Sequence, residues 1–424
     1  IKLPILTNPL VFKENPRKTP TQKVTSNVTE SYIKERSAFA KHDLMCKIRK
    51  LLKHYNFYFF RERIMNLGRI CKLGVASMVS AVAVILSVSL VSAASFTLKI
   101  GSGQPMMPLE PINQAHHYLV PTIEKRVAAE TSHKVKFIKL WNTVSGPFDV
   151  LENVQKKLFD IGLFCACFEP TKTTQLAFHF YVPMVTDDPM TQLRITNKTY
   201  KEFPEWEGDV KKFNQWVVGK GTFSSYGLGT KFGWKKMSDL SGHKIAGAGL
   251  NLPWLKLLSG VTVIQTNLNE AYNSLQSGVY EGVVIFPPAW KGFKLDEPAK
   301  FYTEVGWGAT TLYQMTMNMD SWAKLPKEVQ KIFHEERAKW EVKTAELATK
   351  KYGSSLKALK RDGSTLYKLP YDQRKAMAQA YDGWSNDSAK MLDKKGLPGS
   401  KLFKRYLEIA EQDGIKLPHK YNIK

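Results

Sequence analysis

The chain has 424 residues, and its 62 Lys and Arg outnumber its 38 Asp and Glu for a formal net charge of +24. Hydrophobic residues make up 43% and charged residues 24%, which are globular proportions that exclude wholesale disorder. Four cysteines are too few for a scaffold built from disulfides. The length allows two or three domains with ample buried core.

The N-terminal segment differs in composition from the rest of the chain. Residues 1–64 hold 14 basic and 5 acidic residues with little hydrophobic periodicity. We interpret them as a leader, or as upstream sequence translated in error, and expect them to be poorly ordered. They carry a large part of the net charge and none of the expected globular fold.

Residues 65–94 have the order of a secretory signal peptide. Arg69 and Lys72 precede a run without charged residues, and that run ends on small residues near Ala93 and Ala94. A short basic region, an apolar stretch and a small-residue cleavage site are typical of Sec-type export. The sequence therefore predicts a cleaved signal peptide and a periplasmic protein.

The same apolar run has a second interpretation. About 20 apolar residues suffice to cross a bilayer, so residues 73–94 could stay in place as a transmembrane anchor. The protein would then be a membrane-anchored extracytoplasmic sensor or scaffold.

The remaining charge does not indicate nucleic-acid binding. Residues 95–424 hold 46 basic and 33 acidic residues, and 40 of the basic residues are lysines spread along the whole length. Nucleic-acid surfaces usually cluster basic residues with arginine and stacking aromatics. We therefore expect a solvated, lysine-rich surface and no nucleic-acid partner.

After the signal peptide, strand and helix patterns alternate in two sets. The predicted strands are Phe96–Gly101, Lys134–Leu140, Asp160–Cys167, Gly221–Gly227, His243–Gly247, Thr262–Gln265 and Gly282–Phe286. The predicted helices are Asn113–Thr131, Phe148–Leu158, Leu252–Ser259, Asn269–Ser277, Tyr371–Leu392 and Ser400–Gln412. This alternation predicts an α/β fold with two βαβ sets and largely parallel sheets.

A long helix is predicted from Pro326 to Gly353, because no Pro or Gly occurs between these two residues. At ~1.5 Å per residue it forms a rod of roughly 40 Å, longer than one small lobe. We expect it to cross both lobes of the protein.

The sequence lacks the motifs of common enzymes and metal sites. Cys165 and Cys167 lie one residue apart on a predicted strand, so they are expected to face opposite sides as two buried thiols. An enzyme with one of them as nucleophile stays an alternative, but no histidine with a credible partner accompanies it. We predict no catalytic residue, no metal and no cofactor, which favours a ligand-capturing protein.

Four segments resemble one family: Phe159–Gly162, Gly242–Ile245, Asn269–Gly282 (NEAYNSLQSGVYEG) and Asn318–Gln330. With the signal peptide, they are similar to solute-binding proteins of tripartite ATP-independent periplasmic (TRAP) transporters, the dicarboxylate-binding-protein-like family. The resemblance extends from about Phe96 to Leu407.

The resemblance implies a two-lobed α/β receptor that closes on a small organic solute and delivers it to TRAP-type permease subunits. It places lobe I at residues 95–217 and 306–345, and lobe II at residues 218–305 and 346–424. The oligomeric state and the identity of the solute stay open.

The chain departs from the family at two positions. Ala246 stands where the family usually carries an arginine that binds a solute carboxylate. Phe286, followed by two prolines and Trp290, stands where the family often places a polar residue. These departures put the usual recognition of an acid in doubt.

The candidate ligand-binding residues follow from this comparison. They are Trp141, Phe164, Tyr226, Ala246, Gly247, Trp254, Glu270, Tyr272, Phe286 and Trp290, with Phe168 as a further aromatic candidate. Each aromatic could instead be core, and Glu270 could be only a helix N-terminal acid. Aromatic faces suit a ring or a cationic head group. A carboxylate could still be held by Lys244, by backbone N–H groups at Gly247–Gly249 or by a helix N-terminus.

Overall fold

The computed structural model describes residues 93–424. The leader, the signal peptide up to residue 92 and the anchor alternative lie outside the described residues and stay predictions. Within residues 93–424, no helix is both long and apolar enough to cross a bilayer.

Two mixed sheets form the framework. The first has the strand order β2-β1-β3-β10-β4, and the second has the order β11-β9-β5-β8-β6-β7. The strands are β1 Ser95–Ser102, β2 Lys134–Trp141, β3 Ile161–Cys165, β4 Gln215–Phe223, β5 Gly227–Thr230, β6 Lys244–Gly247, β7 Thr262–Gln265, β8 Gly282–Ile285, β9 Phe301–Glu304, β10 Thr310–Asn318 and β11 Thr365–Lys368. Both βαβ sets predicted from the sequence are therefore present.

The sheets are less parallel than predicted. β1 pairs in parallel with β2 and β3, and β6 pairs in parallel with β7 and β8. However, β10 runs antiparallel to β3 and β4, and β5 runs antiparallel to β8 and β9. The antiparallel strands are those that carry the chain from one sheet to the other.

The strand predicted at Gly221–Gly227 is in fact the end of β4 and the start of β5. The chain leaves the first sheet at residues 224–226 and returns to it at residues 305–309. These two crossings lie side by side, because the Tyr226 N–H donates to the Gly308 carbonyl and the Trp307 N–H donates to the Tyr226 carbonyl, both at 3.3 Å. The two crossing segments are therefore hydrogen-bonded to each other.

Helices cover both sheets. They are α1 Glu110–Gln114, continued by a π-helical turn at Ala115–Leu119, α2 Val120–Glu130, α3 Val150–Gln155, α4 Pro189–Glu202, α5 Gly208–Lys211, α6 Leu252–Lys256, α7 Ala271–Ser277, α8 Pro287–Gly292, α9 Met319–Ala323, α10 Lys327–Arg361, α11 Tyr371–Lys394 and α12 Gly399–Gln412. Helix α4 was not predicted from the sequence, although Asp188 caps it by accepting from the Thr191 N–H at 2.7 Å.

The predicted long helix is present as α10, which has 35 residues and a length of ~50 Å. Beside the first sheet, Glu341 of α10 accepts hydrogen bonds from the backbone and side chain of Lys220 on β4. Further along α10, towards its C-terminus, the Tyr352 hydroxyl donates to Glu304 on β9 of the second sheet. The helix therefore contacts both sheets, as expected.

The final helix, α12, packs against α4. Arg405 donates to both carboxylate oxygens of Glu202, at 2.7 and 3.0 Å, and the Tyr406 hydroxyl donates to Gln192 at 2.9 Å. The lobe boundaries given above, including the placement of residues 346–424 in lobe II, stay predictions.

Candidate ligand-binding site

A cavity of about 50 Å³ lies between the two sheets. Both sheets contribute to its walls, largely through the loops at the carboxyl ends of parallel strands, where open α/β sheets bind ligands. The lining residues are Gln104, Leu109, Cys165, Cys167, Phe168, Phe223, Tyr226, Gly247, Ala248, Asn251, Thr266, Asn267, Leu268, Val283, Val284, Ile285, Phe286 and Tyr313.

One side of the cavity is aromatic. Phe223 of the first sheet stacks on Phe286 of the second, with ring centroids 4.6 Å apart. Tyr226 meets Phe286 edge-on at 5.4 Å, and Tyr313 meets Phe223 in the same way at 5.4 Å. The aromatic wall therefore spans both sheets and offers flat apolar surface to a solute.

A hydrogen-bond network supports Gln104 on the first sheet. The Gln104 N–H donates to Ser102 Oγ at 3.2 Å, the Ser102 and Tyr313 hydroxyls bond at 3.0 Å, and the Tyr313 hydroxyl donates to Gln104 Oε1 at 3.0 Å. Burial raises the pKa of Tyr313, so its hydroxyl stays protonated and able to donate at neutral pH. The network fixes the Gln104 side chain against the cavity.

Asn251 is fixed in a comparable way on the second sheet. The Ala248 N–H donates to Asn251 Oδ1 at 2.7 Å. A Cβ atom on Gly247 would lie 2.3 Å from that same oxygen, so only glycine leaves room for the asparagine side chain to fold back. The Gly247–Asn251 segment is therefore built around one amide side chain.

The two walls touch at Gly249. This residue has φ of +58°, and a Cβ atom on it would lie 2.0 Å from the carbonyl oxygen of Cys167 on the opposite wall. Glycine is needed here for both its left-handed conformation and its small size. Gly249 thus permits close approach of the two sheets at the cavity.

The prediction of two free thiols is wrong. Cys165 and Cys167 form a disulfide with a Cα–Cα distance of 5.1 Å. Strand alternation does not apply to this pair, because β3 ends at Cys165 and Cys167 lies in a 3₁₀ turn at Ala166–Phe168. Both half-cystines are buried and line the cavity, so neither supplies a nucleophilic thiol.

None of the lining residues that the structure describes carries a charge. The six arginines of residues 95–424 bind carboxylates or carbonyls away from the cavity: Arg126, Arg194, Arg337, Arg361, Arg374 and Arg405. Lys244, one candidate for holding a carboxylate, is exposed, and its backbone N–H donates to Glu281. The cavity is electrically neutral at its surface.

A buried carboxyl belongs to the chain neighbour of one lining residue. Glu110 follows Leu109 in the chain, is fully buried, and neither of its carboxylate oxygens has a hydrogen-bond partner among the described residues. Burial raises its pKa to about 7, and the Lys351 charge partly offsets this rise. Glu110 is therefore a carboxyl that titrates near neutral pH.

Four of the aromatic and glycine residues singled out from the sequence line the cavity: Phe168, Tyr226, Gly247 and Phe286. Phe164 and Ala246 are buried within β3 and β6 and are absent from the lining. Trp141 lies at the end of β2, where its Nε1–H donates to His116 at 2.8 Å.

The remaining candidates also lie away from the lining. Trp254 is fully buried and stacks on Phe180 at 4.8 Å, while Trp290 is buried against Gly229. The Tyr272 hydroxyl donates to Glu297 at 2.9 Å. Glu270 is exposed at the residue preceding α7, the position of a helix N-terminal acid.

Two lining residues, Gln104 and Asn251, were not among those predicted from the sequence. Gln104 follows the carboxyl end of β1 by two residues, and Asn251 follows the carboxyl end of β6 by four. Polar residues placed just after parallel strands are the signal that could have identified them. Among the described residues, no group of three or more His, Cys, Asp or Glu is placed to hold a metal ion.

Comparison with known proteins agrees with this architecture. Residues 151–390 match the family model described as bacterial extracellular solute-binding protein, family 7. No curated protein matches the chain.

Three solved structures illustrate the fold. A Bordetella pertussis extracytoplasmic solute receptor that binds pyroglutamic acid is 17% identical, with 73% of this chain and 99% of that chain covered and a TM-score of 0.64. A TRAP solute-binding protein from a marine metagenome, in complex with 3-hydroxybenzoate, is 21% identical, with 76% and 99% covered and a TM-score of 0.65. A TRAP periplasmic protein of Pseudomonas putida with bound D-glucuronate is 18% identical, with 72% and 96% covered and a TM-score of 0.60.

The family match covers more than half of the chain, and the solved structures share its arrangement of two sheets and helices. This confirms the predicted two-lobed α/β fold and the prediction of a binding protein rather than an enzyme. The chain belongs to family 7 of the bacterial extracellular solute-binding proteins, the solute receptors of TRAP transporters.

Proposed function

We propose that this protein is a periplasmic receptor that captures a small organic acid between its two sheets and delivers it to a TRAP-type membrane permease. The observation that carries the proposal is the neutral, mainly apolar cavity with one aromatic side, formed jointly by both sheets. A site shared by two lobes couples solute binding to their closure.

The family and the bound solutes of related folds support this function. Pyroglutamic acid, 3-hydroxybenzoate and D-glucuronate are carried by the three related structures named above. Each is a small molecule with one carboxylate on a ring or ring-forming skeleton. We propose the same broad class of solute for this chain.

The size of the cavity supports a closing motion. Its volume of about 50 Å³ is below the roughly 150 Å³ of a cavity that accepts a benzene ring. The walls must therefore separate to admit a ring-sized solute. The paired crossings at residues 224–226 and 305–309 are the segments that would bend, while Gly249 and Cys167 would part and meet again.

A thermal-shift screen tests the proposal. The secreted protein would be unfolded, dialysed and refolded to remove co-purified solute, then melted with organic acids, sugar acids, amines and neutral ring compounds. A solute at 100 times its Kd stabilises the folded state by about 2.7 kcal/mol, because it binds only the folded state. If no member of the panel raises the Tm of protein shown to be solute-free, the receptor function is contradicted.

A further inference from the structure

The neutral cavity raises the question of what recognises the polar end of a solute. An arginine would bind a carboxylate through paired charged hydrogen bonds, but no arginine or lysine is among the described lining residues. The polar side chains that line the cavity are amides and hydroxyls. Recognition therefore has to come from uncharged donors.

Three amide side chains line the cavity, Gln104, Asn251 and Asn267, and the two that are buried, Gln104 and Asn251, lie one on each wall. The oxygen of Asn251 accepts from the Ala248 N–H at 2.7 Å, and the oxygen of Gln104 accepts from the Tyr313 hydroxyl at 3.0 Å. With both oxygens occupied, the amino groups are the parts left to donate. Within residues 93–424, no hydrogen bond engages either amino group, although both side chains are buried and line the cavity.

We infer that Gln104 and Asn251, hereafter the amide pair, bind the oxygens of a single carboxylate or carbonyl group on a ring-bearing solute. The inference rests on the proposed receptor function and specifies the solute of that same cavity. The first sheet supplies one donor and the second supplies the other. A solute that bridges the amide pair therefore holds the two walls together.

The rest of the lining defines the other end of the solute. Phe223 and Phe286 stack on each other and, with Tyr226, offer aromatic faces at which a ring packs favourably. A second carboxylate would be buried against this apolar wall without a cation, which is unfavourable. The cavity therefore selects a ring with one acceptor group over an open-chain dicarboxylate.

Recognition by uncharged donors has a measurable consequence. A carboxamide has a single acceptor oxygen, but its two lone pairs can accept from both amino groups of the amide pair, so replacing the carboxylate by a carboxamide should change affinity little. A site with a cationic partner would instead lose much of its affinity, since the charged pair is lost. Benzoate and benzamide share a ring and differ in this group, while benzylamine and succinate test the opposite charge and the missing ring.

The experiment is isothermal titration of the refolded, solute-free protein with benzoate, benzamide, benzylamine and succinate at pH 6, below the Glu110 pKa of about 7. We expect benzoate and benzamide to bind with Kd values within tenfold of each other, and benzylamine and succinate to bind at least tenfold more weakly. A benzoate preference above tenfold over benzamide, or tighter binding of benzylamine or succinate, would overturn the inference.

Variants test the amide pair directly. Asn251→Asp keeps the acceptor for the Ala248 N–H but removes the donor, and Gln104→Glu makes the corresponding change on the other wall. Each is expected to weaken benzoate binding at least tenfold. Asn273→Asp makes the same change on the exposed face of α7 and is expected to leave Kd unchanged. Unaltered benzoate binding by both wall variants would overturn the inference.

The outcomes separate this inference from the receptor function. Binding of another acid from the thermal-shift panel, with no binding of benzoate or benzamide, overturns the amide-pair inference and leaves the receptor function standing. Failure of every solute contradicts both. If the acidic variants do not fold, the uncharged variants Asn251→Leu and Gln104→Met replace them in the same test. They are expected to weaken benzoate binding at least tenfold as well.

Discussion

The replacement Glu110→Gln should make the protein more stable at alkaline pH and leave its stability nearly unchanged at acidic pH. Glu110 is fully buried with no hydrogen-bond partner among the described residues, and burial raises its pKa from 4.5 to about 7. In the unfolded chain this carboxyl ionises near its ordinary value. Between pH 4.5 and pH 7 the folded state therefore binds more protons than the unfolded state, and stability falls as pH rises.

The magnitude follows from the displacement of the pKa. One pKa unit corresponds to about 1.4 kcal/mol, so the rise to about 7 corresponds to a cost on the order of 3 kcal/mol above pH 7. Glutamine is nearly isosteric with glutamate and cannot ionise. The variant should therefore gain up to about 3 kcal/mol over the native protein at pH 8, and the difference should disappear near pH 4.

Urea unfolding at pH 4, 6 and 8 measures this difference as a shift in the free energy of unfolding. Glu346→Gln provides the control, since Glu346 lies on the exposed side of α10. Lys351→Met should have the opposite effect at pH 8, because the Lys351 charge partly stabilises ionised Glu110. Equal pH dependence of the native protein and Glu110→Gln would refute the reasoning.

Three further changes test the site and its surroundings. Gly249→Ala should weaken solute binding at least tenfold, because its Cβ would collide with the Cys167 carbonyl as the walls meet. Gly242→Ala is the control: Gly242 has φ of +86°, so alanine there carries the same left-handed strain of about 1–2 kcal/mol, but its Cβ would meet no atom within 4 Å. This control variant should bind the solute normally in the same titration. Reduction of the Cys165–Cys167 disulfide should clearly raise the Kd for the solute, because both residues line the cavity, and should lower Tm only slightly. Closing so short a loop stabilises the folded state by only about 1.5 kcal/mol through chain entropy. A fall in Tm with unchanged Kd would contradict this. Burial lowers the pKa of His179 to about 3, so stability should decline as pH falls from 6.5 towards 3, and acid titration of His179→Gln by circular dichroism should show a smaller decline.

Much of the fold could be predicted from the sequence because local patterns specify it. The alternation of polar and apolar residues in KVKFIKL predicted β2, and the stretch without Pro or Gly after Pro326 predicted α10. The antiparallel strand β10 was missed, because its position between β3 and β4 depends on distant pairing. The change of sheet at residues 224–226 was missed for the same reason, since both sides of it have strand-like composition.

The candidate site was predicted less completely. Tyr226, Gly247 and Phe286 lie on the cavity, whereas Trp254 and Trp290 are enclosed by other aromatic residues and glycines. A large aromatic side chain has the same local signature in a core as in a pocket wall. The orientation of Asn251 depends on the space left by Gly247 and on the Ala248 N–H, which become apparent only when the loop conformation is known.

The position of Glu110 links stability to the proposed recognition of a solute. Glu110 is next to Leu109 of the cavity wall in the chain, and its charge acts on Tyr226, whose pKa is raised mainly by burial and further by Glu110. Above pH 7 an ionised Glu110 repels a carboxylate in a cavity that has no cation among its described lining residues. Below pH 7 the protonated carboxyl removes this repulsion. An uncharged carboxamide would be indifferent to the change, so a carboxylate solute should bind progressively more weakly than its carboxamide as the pH rises through 7.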